Sequence, residues 1–184
     1  VALMLAQRSW PDAKIVALEI DEAAAGQARE NVARSPWQER IEVVQADFKK
    51  YRSSDKFDVI VSNPPYFAPN TGKTAEGARK TARSEEACTV EGLCAAAGWL
   101  LHPGGRFALC YRAERLAALF SALERSGIEP KRLQLVQHSL THPPKIVLVE
   151  GVRMGRPGLK VLPTLFVNEF NAQWRKEITH ETAL

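Results

Sequence analysis

Strand-like and helix-like segments alternate along most of the chain. Apolar runs rich in β-branched residues predict strands over residues 15–20, 41–45, 57–62 and 106–111. Alanine-rich runs and apolar residues at helical spacing predict helices over residues 1–8, 21–34, 85–101 and 116–126. Such an alternation is typical of a parallel sheet that is covered by helices on both faces.

Polar residues and glycines mark the ends of several of these elements. Asp21 is placed to cap the helix after the first strand, and Gly127 is placed to end the last of the four helices. The His-Pro-Gly-Gly sequence at 102–105 predicts a turn that stops the helix before it. The strand at 57–62 is apolar enough to be buried on both faces, as strands of parallel sheets are.

The last third of the chain differs, because no helix separates its strands. Residues 132–138 and 145–152 follow each other directly and are expected to form an antiparallel pair. Residues 161–167 have a strand-like pattern, whereas residues 169–177 fit neither a helix nor a strand clearly. The whole chain, residues 1–184, therefore predicts one α/β domain with a mostly parallel sheet and an antiparallel edge near its C-terminal end.

The composition excludes several classes of protein. A hydrophobic share of 45% with 25% charged residues is typical of a globular protein and not of a disordered chain. No apolar run approaches the roughly 20 residues of a membrane-spanning helix, and three cysteines are too few for a disulfide framework. We therefore expect a cytoplasmic protein without membrane association. The net charge of +4 favours acidic partners only slightly.

The tetrapeptide Asn63-Pro64-Pro65-Tyr66 directly follows the strand at 57–62. Ligands of doubly wound sheets bind at the carboxyl ends of strands, so this segment lies where chemistry is expected. The prolines lack N–H donors, so the Asn63 side chain and the Pro64 carbonyl can accept both N–H bonds of a planar amine. Tyr66 can stack on the plane of that group. The alternative is a proline-rich turn whose asparagine only caps a backbone group.

Acidic residues stand at the ends of two further strands. Glu19 ends the strand at 15–20, where a carboxylate can accept hydrogen bonds from the ribose hydroxyls of a nucleoside cofactor. Asp47 follows the strand at 41–45 and can accept a hydrogen bond from an adenine amine. Either carboxylate alone is better explained as a helix cap or a solvated loop residue. Together with Asn63, they favour one ligand site along a single rim of the sheet.

Glu19, Asp47 and the motif 63–66, in this order, resemble the class I S-adenosylmethionine-dependent methyltransferases that modify exocyclic or amide nitrogens. The resemblance covers nearly the whole chain. The Asn-Pro-Pro-Tyr motif alone is common to adenine-N6, cytosine-N4 and glutamine-N5 methyltransferases, so it defines the chemistry better than the substrate. The longer stretch 63–83 and the segment 142–145 are similar to the bacterial tRNA1(Val) (adenine-37-N6)-methyltransferases.

This resemblance implies a Rossmann-like fold, S-adenosylmethionine as the cofactor and tRNA as the substrate, and it implies a role for each matching residue. The residues expected at the reacting amine are Asn63, Pro64 and Tyr66. The residues expected to bind the cofactor are Glu19, Ile20, Asp47, Phe48 and Asn63. The residues expected to contact the substrate are Pro65, Phe67, Lys73, Arg79 and Arg83.

A cluster of cations follows the motif. The segment 73–83 contains four basic residues and a single acidic one, Glu76. We interpret this segment as a phosphate-binding surface beside the site, which the basic residues of the segment 49–52 can extend. The alternative is a solvated loop whose charge is incidental.

One feature of the resembled family is missing from the sequence. Class I methyltransferases carry a glycine-rich loop after their first strand, where backbone amides approach the methionine part of the cofactor. Here the first glycine is Gly26, and Val1 already lies in a predicted helix. We therefore expect an N-terminally truncated chain that lacks the first strand. Because that strand lies between those at 15–20 and 57–62, we expect both to lack a ladder partner, and residues 1–184 alone to fold poorly and bind cofactor weakly.

Other reactive side chains indicate no further site. The four histidines share no metal-ligand spacing with one another or with the cysteines, so we expect no metal. Cys88 and Cys94 are interpreted as helix packing, and Cys110 is interpreted as a residue of the strand core. The sequence does not define the oligomeric state, although a monomer is favoured.

The sequence therefore predicts a methyltransferase that acts on an exocyclic amine, with adenine N6 in a tRNA anticodon loop as the preferred target. Hydrogen bonds to Asn63 and Pro64 would draw the amine toward a tetrahedral geometry and orient its lone pair, so no strong base is needed. A loop base leaves its stack more readily than a paired one. The alternatives are a glutamine-N5 protein methyltransferase, a non-catalytic remnant without its cofactor loop, and a nicotinamide-binding domain, which has no use for the Asn-Pro-Pro-Tyr motif.

Overall fold

In a computed structural model of the protein, the structure describes residues 1–64 and 89–167. The chain divides into two compact units, Val1–Ser53 and Ser54–Leu184. Each unit has a sheet of its own. The segment 65–88, with the predicted tyrosine and cations, and the ambiguous segment 169–177 lie outside the described residues.

The first unit contains two helices and a two-stranded parallel sheet. Its elements in chain order are α1 (Ala2–Arg8), β1 (Ile15–Glu19), α2 (Glu22–Ala33), a 3-10 turn (Gln38–Arg40) and β2 (Ile41–Gln45). The two strands pair in parallel along their whole length. Asp21 caps α2 as predicted, because its side chain accepts a hydrogen bond from the backbone N–H of Ala24. The predicted helices and strands of this part are confirmed.

A small apolar cluster forms the core of the first unit. Ala6 of α1, Val32 of α2 and Ile41 of β2 are buried at its centre. Half-buried apolar residues of both strands and of α1 pack around these three. Arg40, at the end of the 3-10 turn, makes four hydrogen bonds to α1 and to the connection between α1 and β1. This arginine therefore ties the first helix to the start of β2.

The second unit contains two described helices and five described strands. Its elements in chain order are β3 (Phe57–Ser62), α3 (Val90–Leu100), β4 (Leu101–Arg112), a 3-10 turn (Ala113–Arg115), α4 (Leu116–Arg125), β5 (Ile128–Gln137), β6 (Ile146–Arg153) and β7 (Lys160–Phe166). The strand order is β3-β4-β6-β5-β7, and among these strands β6 alone runs antiparallel to its neighbours. The predicted antiparallel pair is confirmed as β5 and β6, and the strand predicted at 161–167 is confirmed as β7.

One face of this second sheet forms the core of its unit. Phe107 and Leu109 of β4 and Val147 and Val149 of β6 are buried, whereas the residues between them are more exposed. The helices contribute buried side chains to the same core, among them Leu93, Cys94, Ala97, Leu119, Ala122 and Leu123. The alternation along the strands shows that the described helices cover this face.

The other face of the sheet is open in the described part of the chain. Val59 and Val61 of β3 have exposed fractions of 54% and 39%, although both are apolar. The prediction that the strand at 57–62 is buried on both faces is therefore wrong. The two faces of this apolar strand differ in burial. The described helices pack only against the face that it shares with Phe107, and Val59 and Val61 lie on the other face.

Two further boundaries differ from those that the sequence predicts. The helix predicted over 85–101 begins in the structure at Val90, where the side chain of Thr89 caps it. The segment 102–105 does not form a separate turn after this helix, because β4 begins directly at Leu101 and includes the segment. The predicted turn is therefore wrong.

The segment 102–105 is instead accommodated as a bulge in β4. Phe57 of β3 pairs with Leu101, and Val59 pairs with Arg106, so four residues of β4 lie opposite a single residue of β3. Gly104 has a φ of +85°, a backbone conformation that favours glycine. The glycine therefore belongs to the bulge and does not terminate the helix.

The strands β1 and β3 belong to different sheets, and no backbone ladder joins them among the described residues. The only ladder that β1 forms there is with β2, and the only ladder that β3 forms there is with β4.

Gly127 ends α4 as predicted, and its environment predicts a large effect of substitution. Its φ is +67°, and a Cβ added there would lie 2.2 Å from Nη1 of Arg153. That guanidinium donates from Nε to the carbonyl of Gly98 at 2.8 Å and from Nη1 to the carbonyl of Gly127 at 2.9 Å. We expect Gly127→Ala to lower the free energy of unfolding by about 3 kcal/mol, because backbone strain adds to the displacement of Arg153.

Gly104→Ala is the matched control for this substitution. Gly104 also has a positive φ, but nothing lies within 4 Å of a Cβ added to it. Only the backbone strain remains, so we expect a loss of about 1–2 kcal/mol. Urea unfolding measures both variants, and equal losses for Gly127→Ala and Gly104→Ala would contradict the role assigned to Arg153.

His102 links the bulge of β4 to β3, and its contacts predict that the stability depends on pH. Its Nδ1 lies 2.6 Å from the carbonyl oxygen of Pro103, and its Nε2 lies 2.8 Å from Oδ1 of Asp58. The Pro103 carbonyl and then the Asp58 carboxylate raise the pKa of His102 above its ordinary value of 6.5. A raised pKa in the folded state means that the protonated ring stabilises the fold below the unfolded pKa, and that this contribution is lost as the pH rises through the folded pKa.

We therefore expect the free energy of unfolding to be larger at about pH 6 than at about pH 8. We expect the part of this difference that comes from His102 to be absent in His102→Asn. Urea unfolding at both pH values measures this difference. Asp58→Asn is the comparison variant, since it removes the negative charge beside Nε2, keeps an oxygen that can accept, and leaves the Pro103 carbonyl in place. An unchanged difference in His102→Asn would assign the pH dependence to other groups.

Candidate functional site

The carboxyl ends of β1 and β2 bring two acidic residues together. Glu19 is the last residue of β1, and its carbonyl accepts a hydrogen bond from the backbone N–H of Ala46 at 2.9 Å. This bond extends the ladder to the residue before Asp47. The carbonyl of Asp47 accepts hydrogen bonds from the backbone N–H groups of Lys50 and Tyr51, so the chain turns there. The structure thus places Glu19 and Asp47 at the same end of the first sheet.

Each of these carboxylates uses one oxygen to hold its own loop. Oε1 of Glu19 accepts from the backbone N–H of Asp21 at 3.0 Å, and Oδ1 of Asp47 accepts from the backbone N–H of Lys49 at 3.0 Å. Among the described residues, no protein group donates to the second oxygen of either carboxylate. These two oxygens are therefore placed to accept hydrogen bonds from hydroxyl or amine groups of a ligand.

Apolar side chains accompany the two carboxylates. Ile20 follows Glu19 and has an exposed fraction of 60%. Phe48 follows Asp47 and is half-buried. A ligand with hydroxyl and amine groups on a flat apolar body would match this combination of acceptors and apolar surface.

Asn63 follows β3 in the second unit, and the register of β3 with β4 determines its neighbour. Ser62 pairs with Leu109, so the next position, Asn63, stands beside Cys110. Sγ of Cys110 donates a hydrogen bond to Oδ1 of Asn63 at 2.7 Å. Asn63 is exposed, whereas Pro64 after it is buried. The exposed carboxamide is thus attached to a buried proline and bonded to the neighbouring strand.

The contact between Cys110 and Asn63 corrects the interpretation of Cys110 as a residue of the strand core. Cys110 is half-buried, and its side chain lies on the sheet face opposite to Phe107 and Leu109. By contrast, Cys94 is buried in α3, in agreement with its interpretation as helix packing. The register of β3 with β4 is the signal that identifies Cys110 as the neighbour of Asn63.

The predicted site residues are distributed over both units and beyond the described residues. Glu19 and Asp47 belong to the first unit and Asn63 to the second, so their meeting at one rim stays a prediction. The predicted residues that lie outside the described part are Pro65, Tyr66, Phe67, Lys73, Arg79 and Arg83. The cations of the segment 49–52 lie in the turn that follows Asp47.

Two cavities among the described residues lie away from these side chains. One has a volume of about 270 Å³ and lies at the amino ends of β1 and β2, lined by Lys14, Ile15, Val16, Glu39, Arg40, Ile41 and Glu42. The other, of about 290 Å³, is lined in part by Gly127 and Arg153. Neither of these two cavities is lined by Glu19, Asp47 or Asn63.

Two other kinds of functional element are absent from residues 1–64 and 89–167. No group of three or more His, Cys, Asp or Glu side chains there could hold a metal ion. No helix of this part has the length and apolar composition that crossing a membrane requires.

Similarity to solved structures defines the fold. The structure is similar to that of a predicted O-methyltransferase from Agrobacterium tumefaciens, with a TM-score of 0.68 and 20% identity over 90% of this chain and 74% of that chain. It is also similar to the glycopeptide N-methyltransferase MtfA in complex with S-adenosylhomocysteine, with a TM-score of 0.55 and 15% identity over 83% of this chain and 88% of that chain. The predicted α/β fold of the class I methyltransferases is therefore confirmed.

Sequence similarity then defines the family. Residues 3–143 match the family model described as UPF0020: RMKL-like, methyltransferase domain. The chain is 36% identical over 177 residues to the tRNA1(Val) (adenine(37)-N6)-methyltransferase of Erwinia tasmaniensis. The aligned region covers 95% of this chain and 71% of that protein. The chain therefore belongs to the UPF0020 family of methyltransferase domains.

Two relatives from Bacteroides carry the same name as the protein from Erwinia. Identity to the protein of Bacteroides thetaiotaomicron is 61% over 109 residues, which is 59% of this chain and 46% of that protein. Identity to the protein of Bacteroides fragilis is 41% over 152 residues, which is 81% of this chain and 63% of that protein. The chain thus spans about half to two thirds of these curated relatives.

Proposed function

We propose that the protein is a methyltransferase that uses S-adenosylmethionine to methylate the N6 amine of an adenine in tRNA. The observation that carries this proposal is the exposed carboxamide of Asn63 at the carboxyl end of β3, in a chain of a methyltransferase family. Relatives named tRNA1(Val) (adenine(37)-N6)-methyltransferase support adenine 37 of that tRNA as the target.

The residues at the ends of β1 and β2 fit the proposed cofactor. The second oxygen of Glu19 would accept from the ribose hydroxyls, and the second oxygen of Asp47 would accept from the adenine amine. Ile20 and Phe48 would contact the flat base. When bound, S-adenosylmethionine supplies a methyl group on a positively charged sulfur.

The chain's own residues would prepare the target amine for this transfer. The N6 amine of adenine is a poor nucleophile, because its lone pair is delocalised into the ring. Oδ1 of Asn63 and the carbonyl of Pro64 would accept its two N–H bonds and draw the nitrogen out of the ring plane. Tyr66 would stack on the base and replace the stacking lost in the RNA. This catalysis is orientation and hydrogen bonding, and it needs no strong base.

The test is methyl transfer from radiolabelled S-adenosylmethionine by the protein purified from its native host. We expect label in tRNA1(Val), recovered as N6-methyladenosine after nuclease digestion. The same tRNA with guanine in place of adenine 37 is the control and should accept none. Label on a glutamine of a protein would support the N5 alternative instead, and no label in either substrate would contradict an active enzyme.

The cations after Tyr66 are proposed to bind the phosphates of the RNA. We expect Arg79→Gln with Arg83→Gln to weaken tRNA binding and to lower the slope of log K against log salt by about 2, since each phosphate contact contributes about 1. Filter binding at several salt concentrations measures this slope. Arg125→Gln is the matched control, because Arg125 is exposed and ends α4 just before β5, at the opposite end of the sheet from Asn63. An unchanged slope in the double variant would mean that Arg79 and Arg83 contact no phosphate and belong to a solvated loop whose charge is incidental.

The remaining properties follow from this function as proposals. The protein would act in the cytoplasm, where its RNA substrate is made and used. It would act as a monomer, since the proposed reaction assigns no role to a second copy or to a metal ion. Size-exclusion chromatography with light scattering tests the monomer.

A further inference from the structure

The positions of Asn63 and Cys110 follow from the pairing of their strands. Val61 pairs with Ala108 and Ser62 with Leu109. Side chains of neighbouring strands alternate together, so Asn63 and Cys110 lie on the sheet face of Val61, opposite to the packed core. Two backbone ladders therefore determine where the thiol stands, because β4 is paired with β3 on one side and with β6 on the other.

The hydrogen bond between the two side chains distinguishes the two ends of the carboxamide. A thiol has one hydrogen to donate, and within a carboxamide only the oxygen accepts. The hydrogen bond of 2.7 Å from Sγ of Cys110 to Oδ1 of Asn63 therefore directs the carboxamide oxygen toward β4 and the NH₂ group away from β4. Because Asn63 is exposed, packing alone would not prevent the carboxamide from rotating and exchanging these two groups.

A thiol is a suitable donor for this purpose. It is a weak donor, so it takes one lone pair of the oxygen with little loss of the oxygen's capacity to accept a second hydrogen bond. The position of the thiol is also fixed from the other side, since Cys110 is half-buried and paired with Leu148 of β6. The orientation of Oδ1 is thus determined before any amine arrives.

We propose that Cys110 is a positioning residue, whose thiol orients the carboxamide of Asn63 so that its oxygen is presented to the target amine. The proposal rests on the proposed function, because the orientation of Asn63 affects a rate only if Asn63 binds an amine. Cys110 itself touches neither substrate nor cofactor in this role. It acts through the geometry of Asn63 alone.

The first experiment tests the contact without any activity. In ¹H–¹⁵N spectra of the labelled protein, the side-chain NH₂ signals of Asn63 are assigned by their loss in Asn63→Asp. We expect Cys110→Ala to shift or broaden these two signals and Cys110→Ser to retain them near their original positions, because a hydroxyl also donates. Signals that stay in place in Cys110→Ala would overturn the proposal.

The second experiment tests the consequence for the reaction. We expect Cys110→Ala to lower kcat for tRNA methylation by about tenfold with little change in KM for tRNA, because one orienting hydrogen bond is lost. Cys110→Ser should recover most of the rate. A rate that falls equally in Cys110→Ser and Cys110→Ala, or that falls in neither, would overturn the proposal.

Cys94→Ala is the matched control for a purely structural effect. Cys94 is buried in α3, and burial raises the pKa of its thiol to about 12. Its removal should lower the melting temperature and leave kcat unchanged. If the wild-type protein methylates no tRNA at all, the proposed function fails, and the spectra of Asn63 still decide whether Cys110 orients it.

Discussion

Asn63→Ala is expected to lower the rate of methyl transfer to tRNA by about a hundredfold to a thousandfold, the range found when a single well-placed hydrogen-bonding group is removed from an active site. The substitution removes the exposed carboxamide at the end of β3. The carbonyl of Pro64 would then be left to accept one N–H bond alone, and the lone pair of the amine would stay delocalised into the ring. Single-turnover methylation with saturating enzyme measures this effect on the chemical step.

Two further variants distinguish the acceptor role of Asn63 from other roles. Asn63→Asp keeps an oxygen that accepts hydrogen bonds, so we expect its loss to be smaller, about tenfold. Asn31→Ala is the control, since Asn31 is an exposed residue of α2. Loss of tRNA binding in Asn63→Ala in proportion to the lost rate would instead make Asn63 a substrate-binding residue without a role in the chemical step.

The elements that the sequence predicts correctly are those whose signals are local. Asp21 caps α2 through a side chain three residues from the N–H that it binds. Gly127 ends α4 because its own φ is positive. The strands at 41–45 and 57–62 are confirmed because runs of β-branched residues need no distant partner to favour an extended backbone.

The predictions that are wrong concern pairing between segments that are distant in the chain. The bulge at 102–105 depends on which residues of β3 lie opposite β4, and proline and glycine in that segment are equally typical of a turn. The open face of Val59 and Val61 depends on which elements cover the sheet. An apolar strand sequence does not reveal whether one face or both are packed.

The candidate site shows the same division. Glu19 and Asp47 are predicted as neighbours because each ends a strand and the two strands are consecutive in the chain, as the structure has them. Cys110 is separated from Asn63 by 47 residues, and only the register of β3 with β4 brings the two side chains together. Sequence motifs thus locate the side chains that follow strands. The side chains that contact and orient them can be identified only once the pairing of the strands is known.

Arg40→Ala is expected to lower the stability of the first unit by about 3–4 kcal/mol, because one charged side chain there satisfies several acceptors. Its guanidinium donates to the carbonyls of Ala6, Trp10 and Ala13 and to the hydroxyl of Ser9, at distances of 3.1, 2.7, 3.1 and 2.8 Å. The helix that it holds, α1, has seven residues and no side-chain cap at its start. A helix of this length is not stable without tertiary contacts.

The loss in Arg40→Ala should therefore be concentrated in α1. Hydrogen exchange of the α1 amides is expected to accelerate far more than that of β4 or β6, which belong to the other unit. Arg40→Lys should lose nearly as much, since a single ammonium group cannot reach acceptors that are spread over residues 6–13. Arg34→Ala is the matched control, because Arg34 is exposed at the end of α2 and its side chain makes no hydrogen bond in the described part. Equal exchange rates for α1 in Arg40→Ala and Arg34→Ala would mean that the apolar cluster of Ala6 holds this helix by itself.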